Sequence, residues 1–233
     1  MTPRKLVVLA GTGTEVGKTW VGCRLIEAVR AGGGTVMARK PVQSFDPGDS
    51  TTDAGLLASA SGEEVGVVCP PHRCYEVAMA PPMAADALGR PRILMAELLD
   101  EVRSSWSAAL DAPTSPSGEE PTAASVGLVE LAGGARSPIA HDGDGVDMIQ
   151  ALSPDLVIVV ADAGLGTVNA VRCTLDSLTG IPARPVVHLN RYDLDHDLHR
   201  RNLAWLAAAL TDAPAVVTTS VEQLADLVRT GAT

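Results

Sequence analysis

The segment Gly11-Thr12-Gly13-Thr14-Glu15-Val16-Gly17-Lys18-Thr19 carries residue types that can hold a polyphosphate. Its glycines let backbone N–H groups turn inward around an anion, and a helix opening at Lys18 adds the positive end of its dipole. Lys18 can reach the terminal phosphates, and the Thr19 hydroxyl suits Mg²⁺. The nucleotide-binding residues expected here are Gly13, Thr14, Glu15, Val16, Gly17, Lys18 and Thr19. The common G-x-x-x-x-G-K-[ST] spacing places a glycine at position 12, whereas this chain has Thr12 between Gly11 and Gly13. A flexible turn of small residues would explain the glycines, but not Lys18-Thr19 in register with a helix start.

Further polar residues stand where strands end. Lys40 and Ser44 follow a short strand, Asp53 lies on the helix after it, and Glu130 closes a central strand. Thr19, Asp53 and Glu130 form an oxygen set of the kind Mg²⁺ takes, with phosphate oxygens and water completing the shell. Taken singly, Asp53 could equally cap a helix and Lys40 could be a solvated surface lysine. Their shared position at strand ends argues for one site. The cluster Cys69, His72 and Cys74 lacks a fourth zinc ligand at a usual spacing, so Cys23, Cys69, Cys74 and Cys173 read as ordinary buried thiols. The run His141 to Asp147 lacks the carboxylate spacing of a calcium loop and reads as a solvated turn capping the next helix.

The elements that must position these residues are legible from pattern. Strands are expected at Leu6–Ala10, Val36–Ala38, Val126–Leu131, Leu156–Ala161 and Pro185–Asn190. Helices are expected at Lys18–Ala31, stopped by Gly32-Gly33-Gly34, and at Thr52–Ser61, Ile93–Trp106, Gly166–Leu178 and Leu198–Leu210. A helical stretch at Met83–Leu88 follows a break at Pro81-Pro82, and a short strand and helix fill Ala215–Arg229. Strands alternating with helices predict an α/β fold with a doubly wound, mostly parallel sheet, whose ligand site lies at the strand C-terminal ends. The segment Asp111–Ser125, rich in Pro, Ser, Thr and Glu, is expected to be a mobile insertion within a single domain spanning residues 1–233.

Composition narrows the function classes. Hydrophobic residues make up 46% of the 233, enough for one sizeable core, and aromatics only 3%, too few for a base-stacking platform. A net charge of −10 opposes nucleic acid and anionic membranes as partners, although a local loop can still bind a small phosphate. The apolar run Leu6–Ala10 is too short for a signal core or a membrane span, so a cytoplasmic protein is expected.

These motifs resemble the ATP-dependent dethiobiotin synthetases, whose phosphate loop has this same longer form. The resemblance is carried by Gly11–Thr19, by Lys40-Pro41-Val42-Gln43-Ser44, and by Glu130 before Ala132-Gly133-Gly134. It continues through Met79–Ala85, Gly164–Asn169 and Asn190. It implies a P-loop ligase that uses MgATP to join CO₂ to 7,8-diaminononanoate (diaminopelargonate) and close the cyclic urea of dethiobiotin. By the same resemblance Lys40, Lys18 and Ser44 are catalytic, with Lys40 and Ser44 holding a carbamate. Asn190 meets the nucleotide base, and Ser44, Gly166, Thr167 and Asn169 bind the substrate, its carboxylate lying at a homodimer interface. The chain departs from the family at Leu131, where glycine is usual, and in the segment after Gly134. Two alternatives remain: a related carbamate- or amide-forming ligase with another substrate, and a partition-type ATPase switch. Against the latter, its early loop lysine is here Gly13, and no basic DNA-binding surface is evident.

Overall fold

The computed structural model describes residues 3–108, 125–211 and 215–230. In chain order the elements are β1 (Lys5–Gly11), α1 (Lys18–Ala31), β2 (Thr35–Arg39), β3 (Gln43–Ser44), α2 (Asp53–Ser61), α3 (Val65–Val68), β4 (Cys74–Tyr75), α4 (Pro81–Ala87), α5 (Met95–Ala108) and β5 (Ser125–Glu130). There follow β6 (Pro138–Ala140), β7 (Gly143–Asp144), α6 (Gly145–Leu152), β8 (Leu156–Asp162), α7 (Thr167–Ser177), β9 (Arg184–Asn190), α8 (Asp197–Ala209), β10 (Val216–Thr218) and α9 (Val221–Thr230). The Asp111–Ser125 segment lies outside the described residues except for Ser125, which opens β5.

Six strands form one parallel sheet in the order β10-β9-β8-β1-β5-β2. Parallel strands need crossovers, and the helices that supply them cover both faces, which is why β1 reads as an unbroken apolar run. Side chains alternate between two cores. Val7 and Leu9 of β1 pack with Val21, Leu25 and Ile26 of α1 and Leu57 of α2, whereas Val8 and Ala10 pack with Leu98 and Val102 of α5 and Met148 of α6. The same alternation puts Ala38 of β2 and Leu128 of β5 on the α1 side. Residues two further along, Lys40 and Glu130, continue on that side at the C-terminal edge of the sheet.

Local chemistry sets several boundaries. Helix α1 ends at Gly32, and Gly33 takes φ +82° just beyond it. Thr52 caps α2, its hydroxyl accepting from Gly55 N at 3.2 Å, so Asp53 is the first helical residue and not the cap. Pro81 and Pro82 do not precede a helix but start it, because proline needs no N–H partner in a first turn. The run after His141 does cap a helix: Asp144 and Asp147 form a reciprocal capping box on α6. Pattern reading missed the two-stranded pairs β3–β4 and β6–β7, which are too short to show periodicity.

Candidate active site

The phosphate loop connects β1 to α1 and is fastened from both sides. Thr12 N donates to Val160 O of β8 at 2.9 Å, and Ala135 N, beyond β5, donates to Gly11 O at 2.9 Å. Gly134 lies so close that a Cβ there would sit 3.3 Å from Gly13 Cα, which gives the Gly133-Gly134 pair a steric reason. Gly17 turns the chain into α1 at φ +90°, and Glu15 takes φ +59° within the loop. Lys18 is buried with Nζ 3.0 Å from Gly13 O.

At the foot of the loop a charged cluster joins four elements of the chain. Lys40, 1% exposed, donates from Nζ to Glu130 Oε1 at 2.5 Å and to Asp53 Oδ2 at 2.7 Å. The Thr19 hydroxyl lies 2.8 Å from Asp53 Oδ1 and 2.9 Å from Glu130 Oε1. Glu130 is fully buried and its Oε2 has no hydrogen-bond partner. Gly22 of α1 makes room for it, since a Cβ there would sit 3.5 Å from that oxygen. Lys40 is therefore no solvated lysine. Burial alone would strip its proton, but Glu130 and Asp53 outweigh that and push its pKa upward, so it stays an ammonium ion. Burial opposes the ionised form of Asp53 too, yet Lys40 and Thr19 hold its pKa below the usual range. Lys18 moves the other way, down to about 8, first through burial and then through the charge of Lys40.

The three residues expected to hold a metal meet at the Thr19 hydroxyl, which is within hydrogen-bond reach of both the Asp53 and the Glu130 carboxylates, one oxygen of Glu130 being buried and unmatched. Such a set suits a hard divalent cation. Among the described residues no group of three or more His, Cys, Asp or Glu is placed to hold a metal ion. Cys69 and Cys74 place their sulfurs 3.6 Å apart, but His72 turns away to Glu101. Cys69 is buried, Cys23 and Cys74 are half-buried, and Cys173 is exposed, which corrects the expectation of four buried thiols.

A cavity of about 700 Å³ opens above the cluster, and Thr14, Lys18, Thr19, Lys40, Ser44 and Asp53 line it. Ser44 comes from β3, which β4 holds in place, and its hydroxyl donates to Met79 O at 2.5 Å. Gln43, which pattern reading passed over, is buried beside it; its side-chain oxygen accepts from Ala54 N at 3.0 Å and so ties β3 to the start of α2. Arg191 was also missed. It adopts φ +55° and bridges Asp162 at 2.9 Å to the Glu15 carbonyl of the loop at 2.9 Å. Asn190 does not border this cavity but a neighbouring one, and its Nδ2 donates to Val16 O at 2.9 Å. Gly166, Thr167 and Asn169 begin α7 and border neither cavity; Gly166 takes φ +91° as the cap, and Leu165 before it is 92% exposed. Leu131 is not strained, because its φ is not positive; its side chain is buried in the α5–α6 core.

Comparison with known proteins agrees with this geometry. A family model described as an AAA domain matches residues 5–191. The ATP-dependent dethiobiotin synthetase BioD of Caulobacter vibrioides is 33% identical over 96% of this chain and 98% of its own length. That of Anaeromyxobacter dehalogenans is 34% identical over 85% and 87%. Among solved structures, the pNOB8 ParA protein bound to nonspecific DNA superimposes with a TM-score of 0.50 at 11% identity, covering 95% of this chain and 91% of that one, a likeness of fold alone. The signal recognition particle receptor FtsY from Elizabethkingia anophelis gives 0.46 at 17% identity, and this chain spans 62% of its length. Phosphate loop, strand-end cluster and full-length similarity lead to one conclusion: the chain belongs to the ATP-dependent dethiobiotin synthetase family.

Proposed function

We propose that this enzyme is an ATP-dependent dethiobiotin synthetase, a ligase of biotin biosynthesis that converts 7,8-diaminononanoate, CO₂ and ATP into dethiobiotin, ADP and phosphate. The observation that carries this reading is the single cavity in which Lys18 and Thr19 of the phosphate loop face Lys40, Ser44 and Asp53. One amine of the substrate adds to CO₂ and loses a proton, giving a carbamate. Lys40 is suited to hold that anion, because its raised pKa keeps it a cation and rules it out as the base. The Ser44 hydroxyl lines the same wall as a second donor. A carbamate oxygen then attacks the γ-phosphorus as the bond to ADP breaks, and Lys18 stabilises the charge that moves onto the phosphates. With its pKa near 8, Lys18 is driven fully to the ammonium form by a phosphate placed beside it. The second amine attacks the carbamate carbon, phosphate leaves, and the urea ring closes. Holding the two amines and one phosphoryl group in register would supply much of the acceleration.

Thr19, Asp53 and Glu130 are the residues that would hold Mg²⁺, which would supply positive charge to the phosphate oxygens. In this reading the start of α7, with Gly166, Thr167 and Asn169, receives the substrate carboxylate from a second copy of the chain; its free N–H groups favour an anion, and exposed Leu165 beside it is available for burial. Asn190 serves the nucleotide base. Among the described residues no helix is long and apolar enough to cross a membrane, and we place the enzyme in the cytoplasm. Incubation with diaminononanoate, bicarbonate and MgATP should release phosphate in step with dethiobiotin. ATP turnover that ignores the diamine would refute the assignment.

A further inference from the structure

Two of the four cysteines stand together outside the catalytic cavity, behind Gln43, one of its lining residues. Cys69 follows α3 and Cys74 opens β4, and their sulfurs lie 3.6 Å apart in hydrogen-bond contact. The turn between them is held shut. Arg73 N donates to Pro70 O at 2.8 Å, and both sulfurs gather near that carbonyl, Cys69 at 3.8 Å and Cys74 at 3.7 Å. Arg73 is pinned to α5 through Glu101 at 2.6 Å and Glu97 at 3.0 Å, so the frame that sets the sulfurs side by side is anchored in the fold. Closing 3.6 Å to the roughly 2.05 Å of a disulfide takes about 1.5 Å, within reach of side-chain rotation.

The pair is asymmetric. Cys69 is 1% exposed in the α1–α2 core, whereas Cys74 is half-buried. The contact with Cys69, and the Gln43 Nε2 that donates to Cys74 Sγ at 3.2 Å, bring the Cys74 pKa down to about 6 against burial, while the same contact raises Cys69. A partly exposed thiolate backed by a buried thiol that can attack it in turn is the arrangement of a redox-responsive pair. Ordinary core thiols need neither the asymmetry nor the contact.

We propose that Cys69 and Cys74 are a reversible dithiol–disulfide pair oxidised by hydroperoxides, and that closing the disulfide weakens MgATP binding by releasing Gln43 from Cys74. The Cys74 thiolate attacks a peroxide oxygen, the O–O bond breaks, and the departing alkoxide or hydroxide takes up a proton, leaving Cys74 as a sulfenic acid. The Cys69 sulfur then attacks the Cys74 sulfur, its proton goes to the departing hydroxide, and water leaves. Two thiols become one disulfide, and the hydroperoxide is reduced to an alcohol or water. Gln43 carries the change to the site. Its Nε2 loses a thiolate acceptor, because a disulfide sulfur is neutral and accepts weakly. Its Oε1 holds Ala54 N at 3.0 Å, next to Asp53. The other cysteine adjoins the site as well, since Val68 O, one residue before Cys69, accepts from Lys40 N at 2.7 Å.

The test treats the full chain with hydrogen peroxide in a Cys173→Ser background, alone and with Cys69→Ala, Cys74→Ser or Gln43→Leu added. Trypsin cuts after Arg73, between the two cysteines, so a disulfide appears as a linked pair of peptides under non-reducing conditions. The parent should lose the mass of two hydrogens and yield the linked pair, and dithiothreitol should reverse both. Cys69→Ala should stop at a sulfenic acid on Cys74 that dimedone traps, and Cys74→Ser should show neither product. MgATP affinity, read by displacement of a fluorescent ATP analogue, should fall roughly fivefold on oxidation of the parent, the effect of one hydrogen bond, and should stay unchanged in Cys74→Ser. Gln43→Leu should begin with weakened affinity and lose no more on oxidation. Absence of the linked peptides, or sulfenic acid forming first on Cys69 or Cys23, overturns the pair. Linked peptides with unchanged affinity, or an equal further loss in Gln43→Leu, overturn the coupling to the site. If the reduced parent binds no MgATP, the phosphate-site reading fails, and the linked peptides still decide the thiol pair.

Discussion

Replacing Lys40 by methionine keeps most of the side-chain volume and removes one charge from the centre of the site. Glu130, fully buried, then loses its partner at 2.5 Å, and Asp53 loses one at 2.7 Å. At an effective dielectric of about 20 each contact carries a gross attraction of roughly 6 kcal/mol, most of it offset by the cost of desolvating the ions. Breaking a buried pair by removing one partner nets about 3–5 kcal/mol. The Asp53 side chain is 46% exposed, so solvent screens its share and the lower end applies, about 3 kcal/mol. With a urea slope of about 2–3 kcal/mol/M, the unfolding midpoint followed by circular dichroism should fall by about 1–1.5 M. Adding Glu130→Gln should recover about half of the loss, because the uncompensated charge goes with it; since Glu130→Gln alone also breaks the pair and destabilises, the coupling in the double-mutant cycle should exceed roughly 1.5 kcal/mol. Mg²⁺ should raise the midpoint of Lys40→Met more than that of the wild type, since the same carboxylate oxygens then lack an internal cation. A loss below about 1 kcal/mol, or additive single and double variants, would show that the cluster is not electrostatically coupled as argued.

Gly17→Ala should cost about 2–3 kcal/mol in thermal or urea unfolding, combining a positive φ with a Cβ placed 2.0 Å from Asn190 Nδ2, which displaces the Asn190–Val16 hydrogen bond. ATP affinity should fall with it, and a variant with wild-type stability and affinity would contradict the packing described. Cys74 should be the fastest-reacting of the three partly or fully buried thiols in a Cys173→Ser background. The hydrogen-bond contact between the Cys69 and Cys74 sulfurs, with help from Gln43 and against burial, brings the Cys74 pKa down to about 6, whereas burial pushes Cys23 up to about 12 and the contact with Cys74 raises Cys69. Because the thiolate is the nucleophile, alkylation by iodoacetamide, followed by mass spectrometry, should be lost as pH falls through about 6. A midpoint near the ordinary thiol value would refute that environment. Leu131→Ala should lower stability by about 2–5 kcal/mol, as emptying a core position does; a change under 1 kcal/mol would mean that the side chain is not part of the core.

The amino-acid sequence by itself determined the strand, phosphate loop and helix from Lys5 to Ala31, because every constraint there is local. An apolar strand, small residues free to turn, and Gly17-Lys18-Thr19 at a helix start lie within a few residues of one another. Period-two alternation also fixed the side on which Lys40 and Glu130 emerge, two residues beyond Ala38 and Leu128. What alternation cannot tell is which strands become neighbours. Only the tertiary structure puts β5 between β1 and β2, and so brings Lys40 within 2.5 Å of a carboxylate ninety positions away. That proximity decides that Lys40 is a buried cation and not a solvated one, since a charge leaves water only where a partner awaits it. The same holds for Gln43 and Arg191. Their types allow several environments, and their roles follow from what long-range packing sets against them.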